Sequence, residues 1–321
     1  MPMTNYPNGF ANGITIRGVP LHTAFPGKVF WVSNATTLQS GQRGGSDGNK
    51  GNFDSPFSTI DYAIGQCTAN RGDIIFVKPG HAETISAANG ILADVAGVAI
   101  VGLGTGSLRP TITFDTATTT TIGVTAANVA FKNIIFTANF ADIVSVFTTT
   151  TAKHFTLEGC YIKATATNMN FLNVVDTNAT TADTDGLFVG QNKWIEPDLA
   201  TLSMVNMDGT NADVQINDNF VQLGVNNNKA ALLTIATGKI CTNMQMLDNR
   251  VFRLNTDTAT GGILAHTDGS TNSGIVARNF AQHADTAAEI LVTASAGWGV
   301  FDNKASGVAG ASGYLLPAAD S

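Results

Sequence analysis

At 321 residues, the chain is long enough for one elongated solenoid or two compact domains. Only 13% of residues are charged against 44% hydrophobic, so Thr, Asn and Ser must supply the polar surface, which is unusual for a cytosolic enzyme. The net charge is −7, the 17 basic residues are dispersed without a stripe suited to nucleic acid, and no apolar run approaches the ~20 residues of a membrane span.

Residues 1–28 read as an extended arm. Gly and Pro break any helix there, and Phe10, Ile14, Ile16, Val19, Leu21 and Phe25 have the spacing of an extended apolar segment. They are the candidate partner-docking residues; the same segment would also serve as a strand capping the base of a solenoid. The N-terminus lacks the basic-then-apolar order of a signal peptide. A short strand, Val29–Val32, follows, and then a glycine-rich stretch from Gly41 to Gly51. That stretch has neither the G-K-[ST] of a phosphate loop nor the Glu that closes a calcium loop, so a surface loop is expected. Residues 55–66 carry the best helix pattern: Ser55 as cap, Pro56 at the first helical position, and a stripe of Phe57, Ile60, Ala63 and Ile64. Such a helix would plug the open end of a solenoid, which otherwise invites edge-to-edge aggregation. Arg71-Gly72-Asp73 reads as a turn leading into the buried strand Ile74–Val77, not as a recognition tripeptide.

From residue 129 onward a phrase repeats. Two alternating apolar residues lead into a corner at an Asn or Gly, and an apolar or small residue follows. The anchors are Asn133, Gly159, Asn192, Asn219, Asn249, Asn279 and Asn303, separated by 26, 33, 27, 30, 30 and 24 residues. Repeats of this size signal a solenoid. Period-two alternation argues strands with one buried face, and Asn or Gly at the anchor argues a left-handed corner. A second apolar run follows each of the first six corners, for example Ile143–Phe147 and Phe171–Val175. Each repeat is therefore one coil of a parallel β-helix, and stacking at about 4.8 Å gives a column on the order of 30 Å tall over these corners. The first two copies have one residue between the second apolar position and the anchor, whereas the later copies have two, so the corner geometry should change near residue 190. Residues 29–304 form this domain, and the Gly/Ala/Ser-rich residues 305–321 form a tail or cap.

Little in the chain has the pattern of a chemical site. Cys67, Cys160 and Cys241 lack C-x-x-C spacing and read as small buried apolar residues. The histidines are scattered, and His81 with Glu83 falls where an exposed loop is expected. The residues before the late corners are Gln191, Asp218, Asp248, Arg278 and Asp302. If they stack, Asp218 and Asp248 lie about 5 Å apart, within range of a retaining glycosidase pair. Turn chemistry explains polar residues there equally well, and Arg278 makes the stack one of alternating charge. No metal or cofactor is expected.

Gly45-Ser-Asp-Gly-Asn49, Ser55-Pro-Phe-Ser-Thr-Ile60, Ala63-Ile64 and Gly72-Asp-Ile-Ile-Phe-Val77-Lys-Pro-Gly80 together resemble the opening of pectate-lyase-like right-handed parallel β-helix proteins. The resemblance covers about 29–104 directly, and the repeats extend it to about 305. The leader, Tyr6 to Phe10, Ile14 to Gly18 and Pro26 to Val32, is similar to tailed-bacteriophage structural proteins that carry such a helix. The resemblance implies an all-β, single-stranded right-handed parallel β-helix with a short N-terminal capping helix and an extended arm. It also implies a homotrimer. The function expected is that of a non-enzymatic virion structural protein. Specifically, a capsid decoration or cement protein would be made in the bacterial host cytoplasm and dock on the major capsid protein at the outer capsid surface. The alternative is a tail spike or fibre that binds, or binds and depolymerises, host polysaccharide.

Overall fold

The computed structural model describes residues 27–36, 38, 41–201, 203–225, 230–253, 264–267, 271–283, 292 and 297–307, with strands at 14–16, 19–21 and 312–313. It is a right-handed parallel β-helix with three long sheets. The first is ten-stranded and runs from Val29–Val32 through Ile74–Val77, Ala130–Lys132 and Gln215–Asn217 to Trp298–Phe301. The second, also ten-stranded, runs from Ala82–Ile85 through Ile135–Ala138, Phe220–Val225 and Lys304–Gly307 to Ser312–Gly313. The third has seven strands, from Ile91–Ala93 to Ala265–Thr267, and contains most of the second apolar runs of the repeat. Pairing along the column is parallel and in register, as at Phe131↔Leu157 and Ile216↔Met246.

Alternation decides which residues fill the column. In Ile74–Val77, Ala99–Gly102 and Thr111–Phe114 the second and fourth residues are buried. Inward Phe rings from neighbouring coils meet in the lower half: Phe131 lies 5.0 Å from Phe147, and Phe147 lies 5.2 Å from both Phe136 and Phe155. Trp194 and Trp298 point inward, as their places in the repeat require.

The corners differ from expectation in an informative way. In the first two copies the anchors themselves, Asn133 and Gly159, are left-handed. In the later copies the left-handed residue is the one before the anchor: Gln191, Asp218, Asp248, Arg278 and Asp302, with φ between 52° and 59°. Each costs on the order of 1 kcal/mol for a residue with a Cβ. The extra residue takes the strained turn and releases the Asn to face the interior. Asn192, Asn219, Asn249, Asn279 and Asn303 are all buried and form a continuous ladder. Each Oδ1 from Asn219 to Asn303 accepts from the Nδ2 of the Asn one coil below, at 3.1, 3.0, 2.9 and 2.9 Å. The change of geometry near residue 190 is the start of this ladder.

The N-terminal cap also differs in extent. The helix spans Ile60–Gly65, not 55–66, with Thr59 as its cap accepting from Tyr62 N–H. Pro56-Phe57 is not helical because Phe57 is drawn into strand pairing: its N–H donates to Trp31 O, and Ser33 N–H donates to Phe57 O. Ile60, Ala63 and Ile64 are buried and close the column end. The glycine-rich loop lies on this cap. Gly51, at φ +70°, sits where a Cβ would fall 2.2 Å from the Phe57 ring. Asp47 in this loop accepts from Ser58 N–H, Thr59 N–H and the Thr59 hydroxyl. Arg71 and Asp73 form the turn expected, with Asp73 wholly buried.

Within the arm, the strands at 14–16 and 19–21 form a hairpin. Ile14–Ile16 pairs antiparallel with Val19–Leu21, Ile14 opposite Leu21 and Ile16 opposite Val19. Among the described residues this two-stranded sheet pairs with no strand of the column. Phe10 and Phe25 lie outside the described residues. At the other end Ser312–Gly313 returns antiparallel onto Lys304–Gly307.

Candidate functional site

Three clusters of polar chemistry stand out. At the base, Asp73 collects four donors: Lys28 N–H at 2.6 Å, Thr68 N–H at 2.8 Å, and Arg71 through Nε at 2.7 Å and Nη2 at 2.6 Å. Burial by itself would raise its pKa. The Arg71 guanidinium and the backbone donors prevail and hold it at about 2. This group ties the strand Val29–Val32 to the first full coil.

His81 and Glu83 are not in an exposed loop; both are buried. Asn34 N–H donates to His81 Nδ1 at 3.1 Å, which places the ring proton on Nε2, 3.0 Å from Glu83 Oε2. The same carboxylate oxygen accepts from Ile60 N–H at 3.1 Å. The pair therefore stitches the loop after Val32, the start of the helix and the strand Ala82–Ile85. Spacing alone could not reveal it, because its partners lie 47 and 23 residues away.

Asp218 and Asp248 occupy equivalent corners of adjacent coils, so their backbones lie about 4.8 Å apart. Both are exposed. Arg278 grips Asp248 with Nε at 2.9 Å and Nη2 at 2.6 Å, and this hydrogen bonding holds the Asp248 carboxyl below its ordinary value. The alternating-charge stack is present. A surface pair of this kind contributes little to stability.

The outward face of the second sheet collects residues the sequence scatters. In register across its strands lie Tyr161, Lys193, Phe220, Arg250, Phe280 and Lys304, aromatic and cation by turns. The basic residues are therefore not all dispersed in space. In the neighbouring outward row Phe252 sits between Phe220 and Phe280, at centroid distances of 5.4 and 5.7 Å. Lys193 Nζ lies 5.2 Å from the Tyr161 ring and 5.7 Å from the Phe220 ring.

Cys160 and Cys241 are buried as expected, whereas Cys67 is only half-buried against the helix, its thiol donating to Ala63 O. Burial pushes all three thiols up to about 12. Among the described residues no group of three or more His, Cys, Asp or Glu side chains is placed to hold a metal ion. An open pocket near the base is lined by Trp31, Leu38, Arg43, Phe53 and Lys78.

No protein-family profile matches the chain, and no curated protein matches it. A rhamnogalacturonan lyase of solved structure is similar at TM-score 0.43 and 13% identity, over 88% of this chain and 74% of that one. That neighbour is an enzyme. The expectation that this chain is not one is withdrawn on that finding.

Proposed function

We propose that the protein is a structural component of a tailed-phage virion, a decoration protein that docks through its N-terminal arm on the major capsid protein and stands on the outer capsid surface as a homotrimer. The observation that carries this reading is the hairpin Ile14–Ile16/Val19–Leu21, whose strands pair only with each other among the described residues. The paired strands contain Ile14, Ile16, Val19 and Leu21, four of the apolar residues of the arm. A two-stranded ribbon that pairs with no other strand among the described residues is suited to strand addition on a partner. The low charge of the chain and the hydrogen-bonded column suit a rigid particle outside a cell. The likeness of the leader to phage structural proteins supplies the partner.

The test is removal of residues 1–28 followed by cosedimentation with undecorated capsids. The full chain should saturate the capsid surface at a copy number in the hundreds, and the truncated chain should stay in the supernatant. Saturation by the truncated chain, or a few copies confined to the tail, would refute the proposal.

A further inference from the structure

On the second sheet, the aromatic and cationic row has a companion. In every coil that contributes to it, the left-handed corner residue stands two positions before the row residue. The pairs are Gln191 and Lys193, Asp218 and Phe220, Asp248 and Arg250, Arg278 and Phe280, Asp302 and Lys304. The corner column and the row are thus two parallel stripes at matching heights. Lys193, Arg250 and Lys304 are exposed and make no ion pair among the described residues. Phe220, Phe252 and Phe280 are half-buried by one another and leave a continuous aromatic strip between the cations.

We infer that this edge of the column is the interface between copies of the chain, with the corner stripe of one copy set against the aromatic–cation row of the next. The inference rests on the homotrimer proposed above and names its face. Rotation about an axis parallel to the column involves no translation, so each residue keeps its height in every copy. Coil then meets coil: Asp302 faces the neighbour's Lys304, Gln191 faces Lys193, and the Asp248–Arg278 pair of one copy meets Arg250 and the Phe280 ring of the next. Asp302 and Lys304 are opposite charges, Asp248 is shared between its own Arg278 and the neighbour's Arg250, and Arg278 against Phe280 is a cation over an aromatic ring. Asp218 opposite Phe220 gains nothing directly, but it stands one coil from Arg250. A twofold pairing of the row with itself would bring Lys193, Arg250 and Lys304 against their own kind, and like charges across an interface are costly. Interface cores are also enriched in aromatic residues and Arg, the composition of this strip.

The assignment is tested on the full chain by sedimentation equilibrium. Wild type should be a homo-oligomer. Phe252→Glu should weaken association by at least about tenfold, a modest value for a buried interface residue. Lys304→Asp and Asp302→Lys should each weaken it about tenfold, and the double swap should restore it, because every interface then regains one Asp and one Lys. Thermal melts of the variants separate lost association from lost folding. If wild type is monomeric at all concentrations, or is monomeric and retained on an immobilised polyanion, the inference is overturned. An oligomer indifferent to all four variants also overturns it. That outcome leaves capsid docking by the arm standing, since the cosedimentation assay reads it separately.

Discussion

The side-chain oxygen of Asn249 accepts from both donors of Asn219, the backbone N–H at 3.0 Å and Nδ2 at 3.0 Å, while its own Nδ2 donates to Ile216 O at 2.7 Å. With Nδ2 also donating to Asn279 Oδ1 at 2.9 Å, one buried side chain thus serves three coils. Asn249→Ala should orphan the Asn219 N–H and the Ile216 carbonyl in the interior, for a loss of about 2–6 kcal/mol at 1–3 per buried orphan. Urea denaturation monitored by circular dichroism measures this. The corner neighbour Asp248→Ala is exposed and should cost less than about 1 kcal/mol. Equal losses would contradict the role of the ladder.

The Asp73 cluster predicts an acid transition. Its folded pKa of about 2 lies below the ordinary carboxylate value of ~3.9. A depressed carboxylate contributes stability that is fully present above the unfolded value and is lost as pH falls through the folded one. Asp73→Asn should therefore destabilise the protein by on the order of 2 kcal/mol at pH 7, since hydrogen bonds to the charged form are lost. The gap to wild type should close between about pH 4 and pH 2. Melting temperatures of both proteins across that range decide the matter.

His81→Ala should leave the Glu83 carboxylate buried with Ile60 N–H as its hydrogen-bond donor, and should release the loop at Asn34. Breaking a buried hydrogen-bonded pair of this kind costs about 3 kcal/mol. The loss should be local. Hydrogen exchange should accelerate at residues 29–66 and stay slow in the ladder coils from Asn192 to Asn279.

The thiols give a probe of folding. With pKa values raised to about 12 by burial, Cys160 and Cys241 should not react with a thiol reagent at pH 8 in the folded protein and should react at once in denaturant. Cys67, half-buried, should react slowly and only after partial opening of the cap helix. Rapid native labelling of Cys160 would show that its coil is open.

Much of the column was legible because its rule is local. The alternation in Val129-Ala-Phe131 or Val214-Gln-Ile216 states which side chains turn inward, and the structure buries those residues. The extra residue before Asn192 announced a new corner, though not that the strain would move to Gln191 so that the Asn could form a ladder. Local capping signals at Pro56-Phe57 favour a helix, yet the helix begins at Ile60. A strand far away in the fold, Val29–Val32, competed for the same backbone groups and won.

The amino-acid order determined the coil: period-two apolar residues, left-handed corners and a repeat near thirty residues leave few ways to bury the chain. It could not show which outward residues stand together. Lys193, Arg250 and Lys304 are remote in sequence and look dispersed, yet coil stacking sets them in one line with Tyr161, Phe220 and Phe280. The same holds for His81, whose loop surroundings along the chain suggested exposure, whereas Asn34 and Ile60 enclose it from elsewhere. Burial of an inward residue follows from its immediate neighbours in the strand. Neighbourhood on an outer face follows from how many residues each coil takes to return, and only the closed turns of the solenoid decide that.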